Sequence, residues 1–219
     1  MASSAFLADL SQRERGDQVV IQEHLRRYVS YFHGKSKVVD LGCGRGDFLE
    51  LLKEEKIGAF GVEDNPALAA QAQKRGLTVK KAKIQSFLKK CKAGSVDGFF
   101  VSHVVEHLAP KEMMEAAAEM KRVLKQGGIL VLITPNPLSL GVMTHSFWRD
   151  PTHVRPNPLD FLVELLESMG FQVLAKGETC LGVKKSLIRT AVRKIRKWLV
   201  GDYFRDPDIY LAVQKNANS

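Results

Sequence analysis

A doubly wound α/β sheet, mostly parallel and seven-stranded, is the fold class that this 219-residue chain predicts, and three observations carry the reading. Short apolar, β-branched runs alternate with segments whose apolar residues recur at helical spacing. The first run, Val38 to Leu41, passes through three glycines (Gly42, Gly44 and Gly46) into a helix beginning near Phe48. A second run, starting at Ala59, ends in an acid, Glu63, 23 residues after Asp40. Strand, helix and strand in repeated order require parallel pairing through crossover helices. Ligands in such sheets sit at the carboxyl ends of the strands.

Composition fits one globular domain, with 45% hydrophobic and 26% charged residues. Within it we expect an N-terminal helical leader (residues 1–34), a core (35–175), a basic helical insertion (176–205), and the last strand with its tail (206–219). No apolar run reaches membrane-spanning length, and residues 1–10 lack the basic-then-apolar order of a signal peptide. Cys43, Cys91 and Cys180 are odd in number and widely spaced. They point to a reducing cytoplasm, with no structural zinc and no metal site expected. The net charge of +9 is local. Lys184, Lys185, Arg189, Arg193, Lys194, Arg196 and Lys197 fall in one segment; removing these seven from the 33 lysines and arginines leaves 26, against 24 acids.

Residues 18–32 read as an amphipathic leader helix, with Val19, Val20, Leu25, Tyr28, Val29 and Phe32 inward and Gly34 as its stop. A helix over 66–75 opens at Pro66 and closes at Gly76. Residues 77–82 give a third strand and 99–102 a fourth, followed by a helix from Pro110 to Leu124. Gly127 and Gly128 end that helix, and 129–133 form the fifth strand. A helix over 159–169 leads to a sixth strand over 170–174, and the last strand, 208–213, is expected to be antiparallel.

The glycine turn joins a strand to a helix N-terminus, where bare backbone N–H groups can meet a ligand without a Cβ in the way. A dinucleotide fingerprint needs a small sixth residue. Counting from Gly42 that residue is Asp47, and counting from Gly44 it is Leu49. No Gly-Lys-Ser/Thr follows, so a Walker A loop is excluded too. What stands is Asp40-x-Gly42-x-Gly44-x-Gly46, and it resembles the first motif of class I S-adenosylmethionine-dependent methyltransferases.

That resemblance implies S-adenosyl-L-methionine as cofactor. Asp40, Gly42, Cys43, Gly44 and Gly46 would hold its methionine part, and Glu63 with Asp64 its ribose. Cys43 is read as present for its small size, and Glu63 has the plainer alternative of capping the next helix. The adenine position usually carries an aspartate but here aligns with Lys83, so backbone groups and Ile84 are left to embrace the ring. Ser102, His103 and the following residues to Leu108 look like the segment that lies under the cofactor in many such enzymes. Arg15 could reach the cofactor carboxylate or be a solvated surface residue.

After the fifth strand, Thr134-Pro135-Asn136-Pro137 and then Asp150-Pro151-Thr152-His153-Val154-Arg155-Pro156 occupy a long proline-rich segment. Such segments in compact domains are functional or disordered, and the histidines, arginines and aromatics here argue against disorder. The block resembles a narrower branch of these enzymes, bacterial and archaeal, several of them associated with surface-polysaccharide assembly. It implies a substrate loop for a small-molecule or glycan acceptor, with His145, Trp148, His153 and Arg155 as residues to test. A hydroxyl acceptor needs a base, for which His145 or His153 would serve, whereas an anionic acceptor needs a cation such as Arg155. His153 and Asp150 could instead stiffen the loop, and His107, near a helix start, could be structural or catalytic.

Residues 186–200 read as a helix with Trp198 and aliphatic residues on one side and the basic cluster on the other. Its open alternatives are packing on the domain or on a second copy of the chain, peripheral membrane contact through 184–200, and RNA binding. RNA methylation and a non-catalytic cofactor-binding module accordingly stand beside small-molecule or glycan O-methylation as readings of function.

Overall fold

The computed structural model describes residues 18–179 and 205–216. Arg15, Cys180 and the expected basic helix at 186–200 lie outside them. Five strands, β1 (Val38–Leu41), β2 (Ala59–Glu63), β3 (Val79–Lys81), β4 (Val96–Ser102) and β5 (Leu124–Pro135), run parallel. β6 (Phe171–Thr179) and β5 both pair antiparallel with β7 (Asp208–Lys215). The sheet order is β3-β2-β1-β4-β5-β7-β6. The chain therefore winds outward from β1 in one direction, then returns to β4 on its other side. A crevice opens at the carboxyl ends of β1 and β4, where the winding reverses.

Around the sheet lie α1 (Gln18–Leu25), α2 (Asp47–Glu54), α3 (Pro66–Lys74), α4 (Ile84–Lys90), α5 (Pro110–Val123) and α6 (Leu159–Ser168). α3 starts where Asn65 Oδ1 accepts the Ala67 N–H at 3.0 Å, with Pro66 at its first position. Strand residues alternate between two cores. Phe99, Val101, Leu130 and Leu132 pack toward α4, α5 and α6. Phe100, Ile129 and Val131 face the opposite way, onto Phe32, Phe48 and Leu51. Phe48 stacks on Phe100 with ring centroids 3.7 Å apart, which fixes α2 over the centre of the sheet.

The leader departs from its expected register. It is α-helical only to Leu25 and tightens into a 3₁₀ turn over Arg26–Phe32. Ile21, His24, Tyr28, Val29 and Phe32 form the buried stripe, whereas Val19 is 70% exposed. Tyr28 and Phe32 set the inner face against Phe100 and Phe48, and Val19 and Val20 fall off that face. β5 begins at Leu124, earlier than expected. Leu124 pairs with Val96 and Ile129 with Gly98, so an irregularity in the ladder takes up residues 125–128. β6 runs on to Thr179 because β7 pairs with it along that whole length.

Candidate active site

The glycine turn lies flat on the end of β2. Gly42 N and Cys43 N donate to the Val62 carbonyl at 2.8 and 3.2 Å, and Gly46 N donates to Cys43 O at 2.9 Å. Gly44 N donates to Glu63 Oε2 at 2.8 Å, while Asn65 N donates to Glu63 Oε1 at 2.8 Å. These amides are thus engaged within the protein, which corrects the expectation of bare donors. What the turn offers a ligand is clearance. Gly42 has φ +74°, and a Cβ there would stand 2.5 Å from Val104 Cγ2.

Behind the turn is an ion-pair cluster that the sequence did not announce. Asp47 is 4% exposed at the start of α2, 2.8 Å from Arg45 Nε and 3.0 Å from Arg75 Nη1. Arg75 also donates to the Arg45 carbonyl at 2.7 Å and pairs with Glu50.

A cavity of about 430 Å³ opens at the crevice. Asp40, Gly42, Cys43, Ser102 and His103 line it from the strand ends, with His107 and His153 from the loops. These seven of the expected site residues are brought together. Gly44, Gly46, Glu63, Asp64, Lys83 and Ile84 do not line it; Asp64 and Lys83 are exposed, and Lys83 caps α4. His145 stands exposed in a π-helical turn (Val142–Ser146), and Arg155 lies over the Phe161 ring at 5.3 Å, so neither faces the cavity. Arg149, Asp150, Asp208 and His24 take part instead.

Glu106 ties the loops together. Fully buried, it accepts the Thr134 hydroxyl at 3.0 Å on Oε2, and His103 Nδ1 stands 3.2 Å from Oε1. Its backbone carbonyl accepts Val154 N at 2.8 Å and Arg155 N at 3.3 Å, which clamps the proline-rich segment to the end of β4. Burial works to raise the Glu106 carboxyl, but His103 and His107 outweigh it and hold it below its ordinary range. Asp208 Oδ1 lies 3.8 Å from His103 Nε2; there burial prevails over His103, and the carboxyl is raised. His103 itself sits at φ +54°, an uncommon conformation for a non-glycine residue though one that histidine adopts more readily than most, and it lines the crevice.

His107 and His153 lie with ring centroids 4.7 Å apart. Burial, aided by His153 and opposed by Glu106, lowers the His107 pKa. Its Nδ1 is 2.8 Å from Thr152 Oγ1, which in turn donates to Asp150 Oδ1 at 2.6 Å. His153 Nδ1 is 2.6 Å from the Phe147 carbonyl. Thr152, Glu106 and Arg149 were not singled out from sequence. The Asp-Pro-Thr-His string contained Thr152 as a signal, but its contact with His107 spans 45 residues.

A family model described as a methyltransferase domain matches residues 39–132, the span from β1 into β5. A solved S-adenosylmethionine-dependent methyltransferase from Archaeoglobus fulgidus is 31% identical and superposes with a TM-score of 0.80, covering 94% of this chain and 98% of that one. A probable S-adenosylmethionine-dependent methyltransferase of Mycolicibacterium smegmatis is 31% identical over 152 residues, 67% of this chain and 54% of its own length. The chain spans about half the length of the curated relatives it matches. Magnesium protoporphyrin IX methyltransferase from Synechocystis PCC 6803, solved with bound cofactor, shares the fold at a TM-score of 0.60 and 13% identity over 90% of this chain and 81% of that one. With its strand order, acid-glycine turn and crevice, the chain belongs to the class I S-adenosylmethionine-dependent methyltransferases.

Proposed function

We propose that this chain transfers a methyl group from S-adenosyl-L-methionine to a hydroxyl oxygen of a small-molecule or glycan acceptor. One observation carries the reading: a single cavity is lined both by Asp40, Gly42 and Ser102 and by the His107–His153 pair. When bound, the cofactor supplies an electrophilic methyl on a sulfonium. Asp40, 3% exposed at the end of β1, suits its ammonium group, and Gly42 leaves room for it. Glu63, at the end of β2 and tied by its two oxygens to the Gly44 and Asn65 amides, is the proposed acceptor of the ribose hydroxyls. Lys83 and Ile84, at the start of α4, are the proposed adenine neighbours.

Displacement at a sulfonium neutralises charge, so alignment and exclusion of water do most of the work. A hydroxyl must also lose its proton, and an imidazole of the His107–His153 pair, which lines the cavity, is the proposed base. The acceptor would dock on the proline-rich segment, where Leu138, Leu140, Trp148 and Val154 are all exposed. Trp148, 62% exposed with its Nε1 held by the Met143 carbonyl at 2.6 Å, offers a fixed flat face. In the test, purified protein, labelled cofactor and a panel of mono- and oligosaccharides are resolved by mass spectrometry. A gain of one methyl on a hydroxyl, lost in Asp40→Asn and reduced at least tenfold in His153→Ala, is the expected result. Labelling of nitrogen, carbon or RNA instead would reject the acceptor class.

A further inference from the structure

His103, Glu106 and His107 stand in the spacing H-x-x-E-H, and His153 closes on them from the proline-rich segment. We propose that Glu106, His107 and His153 bind one divalent transition-metal cation of the zinc type. Its open coordination side faces the cavity. One potential ligand atom from each of the three lies within 4.8 Å of the others. Ligands on a tetrahedral zinc stand about 3.4 Å apart, so each pair closes by at most about 1.4 Å on binding. His153, in a non-helical stretch, has the freedom to make that adjustment.

Three features of the chemistry favour a cation. The Thr152 hydroxyl gives its proton to Asp150 Oδ1, so His107 Nδ1 must be the donor in its 2.8 Å contact with Thr152, leaving Nε2 with a lone pair. The Phe147 carbonyl can only accept, so His153 Nδ1 is also a donor and its Nε2 is likewise a lone pair. Imidazoles that bind metals are oriented in this way by a partner on the second nitrogen. Finally, Glu106 Oε1 is fully buried and lacks a well-aligned hydrogen-bond donor among the described residues, His103 Nδ1 standing 3.2 Å away but off axis. Two imidazoles and a buried carboxylate come together here, and that is a ligand set that borderline divalent metals accept.

The role of the cation deepens the proposed hydroxyl methylation and rests on it. Bound at the open position, the acceptor oxygen would have its O–H acidified, and the proton would leave to solvent water. His107 and His153 would then act as ligands in place of the base. Binding itself can be tested without any acceptor.

Untagged protein is stripped with a chelator and titrated with Zn2+ against a chromophoric competitor, and separately with Co2+ by visible absorption. S-adenosylhomocysteine binding is measured by calorimetry on the same samples. One equivalent of cation is expected. Its affinity should fall at least 100-fold in His107→Gln and His153→Gln and about 10–100-fold in Thr152→Val, with folding checked by circular dichroism. Thr152 is exposed, so its variant keeps the fold even if a histidine variant does not. Absence of stoichiometric binding, or equal affinity in the variants, overturns the site. Protein that binds S-adenosylhomocysteine but no cation refutes the metal site alone, and protein that binds the cation but no S-adenosylhomocysteine refutes the methyltransferase reading alone.

Discussion

Glu63 Oε2 accepts the Gly44 N–H at 2.8 Å across 19 residues, so the acid at the end of β2 holds the glycine turn in shape. The same carboxylate takes Asn65 N on its other oxygen, at 2.8 Å. The acid expected to hold a ribose is therefore also a structural tie. Glu63→Gln would turn an amide N–H₂ against one of two backbone donors. We expect a stability loss of about 1–3 kcal/mol and at least tenfold weaker S-adenosylhomocysteine binding, read by thermal unfolding and calorimetry. Unchanged values for both would show that neither bond matters.

Gly42 is the position at which clearance should be decisive. Alanine there meets two obstacles, the φ of +74° and the Val104 Cγ2 atom 2.5 Å from the new Cβ. A β-carbon in that backbone region costs about 1–2 kcal/mol before any clash. Gly42→Ala should lower the unfolding temperature and abolish detectable S-adenosylhomocysteine binding. Adding Val104→Ala should recover part of the stability, since it removes the clash and leaves the backbone strain. Full recovery in the double variant would mean that the backbone conformation carries no cost.

Arg75 joins the end of α3 to the start of α2 through Asp47, Glu50 and the Arg45 carbonyl. Its removal strands Asp47, which is 4% exposed and keeps only Arg45 among the ion pairs described. Arg75→Ala should cost about 2 kcal/mol in denaturant unfolding. Lysine should restore less than half of it, because one ammonium cannot serve three acceptors in a fork. Complete rescue by lysine would argue that charge alone matters there.

What was legible in the sequence follows from range. Gly42, Gly44 and Gly46 were legible because a turn between a parallel strand and its helix restricts residue type locally, and Glu63 because strand ends align across a parallel sheet. Parallel pairing followed from repetition, and the antiparallel β7 from its alternation and place in the chain. Arg75 was not legible, since its partner Asp47 is 28 residues away and nothing in the spacing links them. The loop side chains were half legible. The Asp-Pro-Thr-His string marked His153, but which residues face inward is set by distant anchors. Asn136 Nδ2 donates to the Asp206 carbonyl at 2.8 Å, and the Glu106 carbonyl holds Val154 N, so Arg149 faces the cavity while His145 and Arg155 turn away. The leader went astray for a similar reason: apolar content alone did not separate Val19 from Ile21, whereas packing on the sheet does.

Asp97 provides a test by pH. Its Oδ1 stands 2.7 Å from Lys125 Nζ, and its Oδ2 accepts the Ser36 hydroxyl at 3.0 Å and the Ser36 N–H at 3.3 Å. Burial works to raise this carboxyl, but Lys125 and Ser36 outweigh it and hold it below its ordinary value. A carboxyl depressed in the folded state stabilises the fold above its unfolded pKa of about 4 and loses that contribution as pH falls through the folded value. Lys125 is 45% exposed, so the pair is worth at most about 1 kcal/mol. For a chain of this size that corresponds to about 2–4 °C. Asp97→Asn should therefore unfold about 2 °C below the parent at pH 7, and the gap should narrow below about pH 4 as the parent's own carboxyl takes up its proton. A gap that stays constant down to pH 2 would assign the loss to packing, because a packing defect does not titrate.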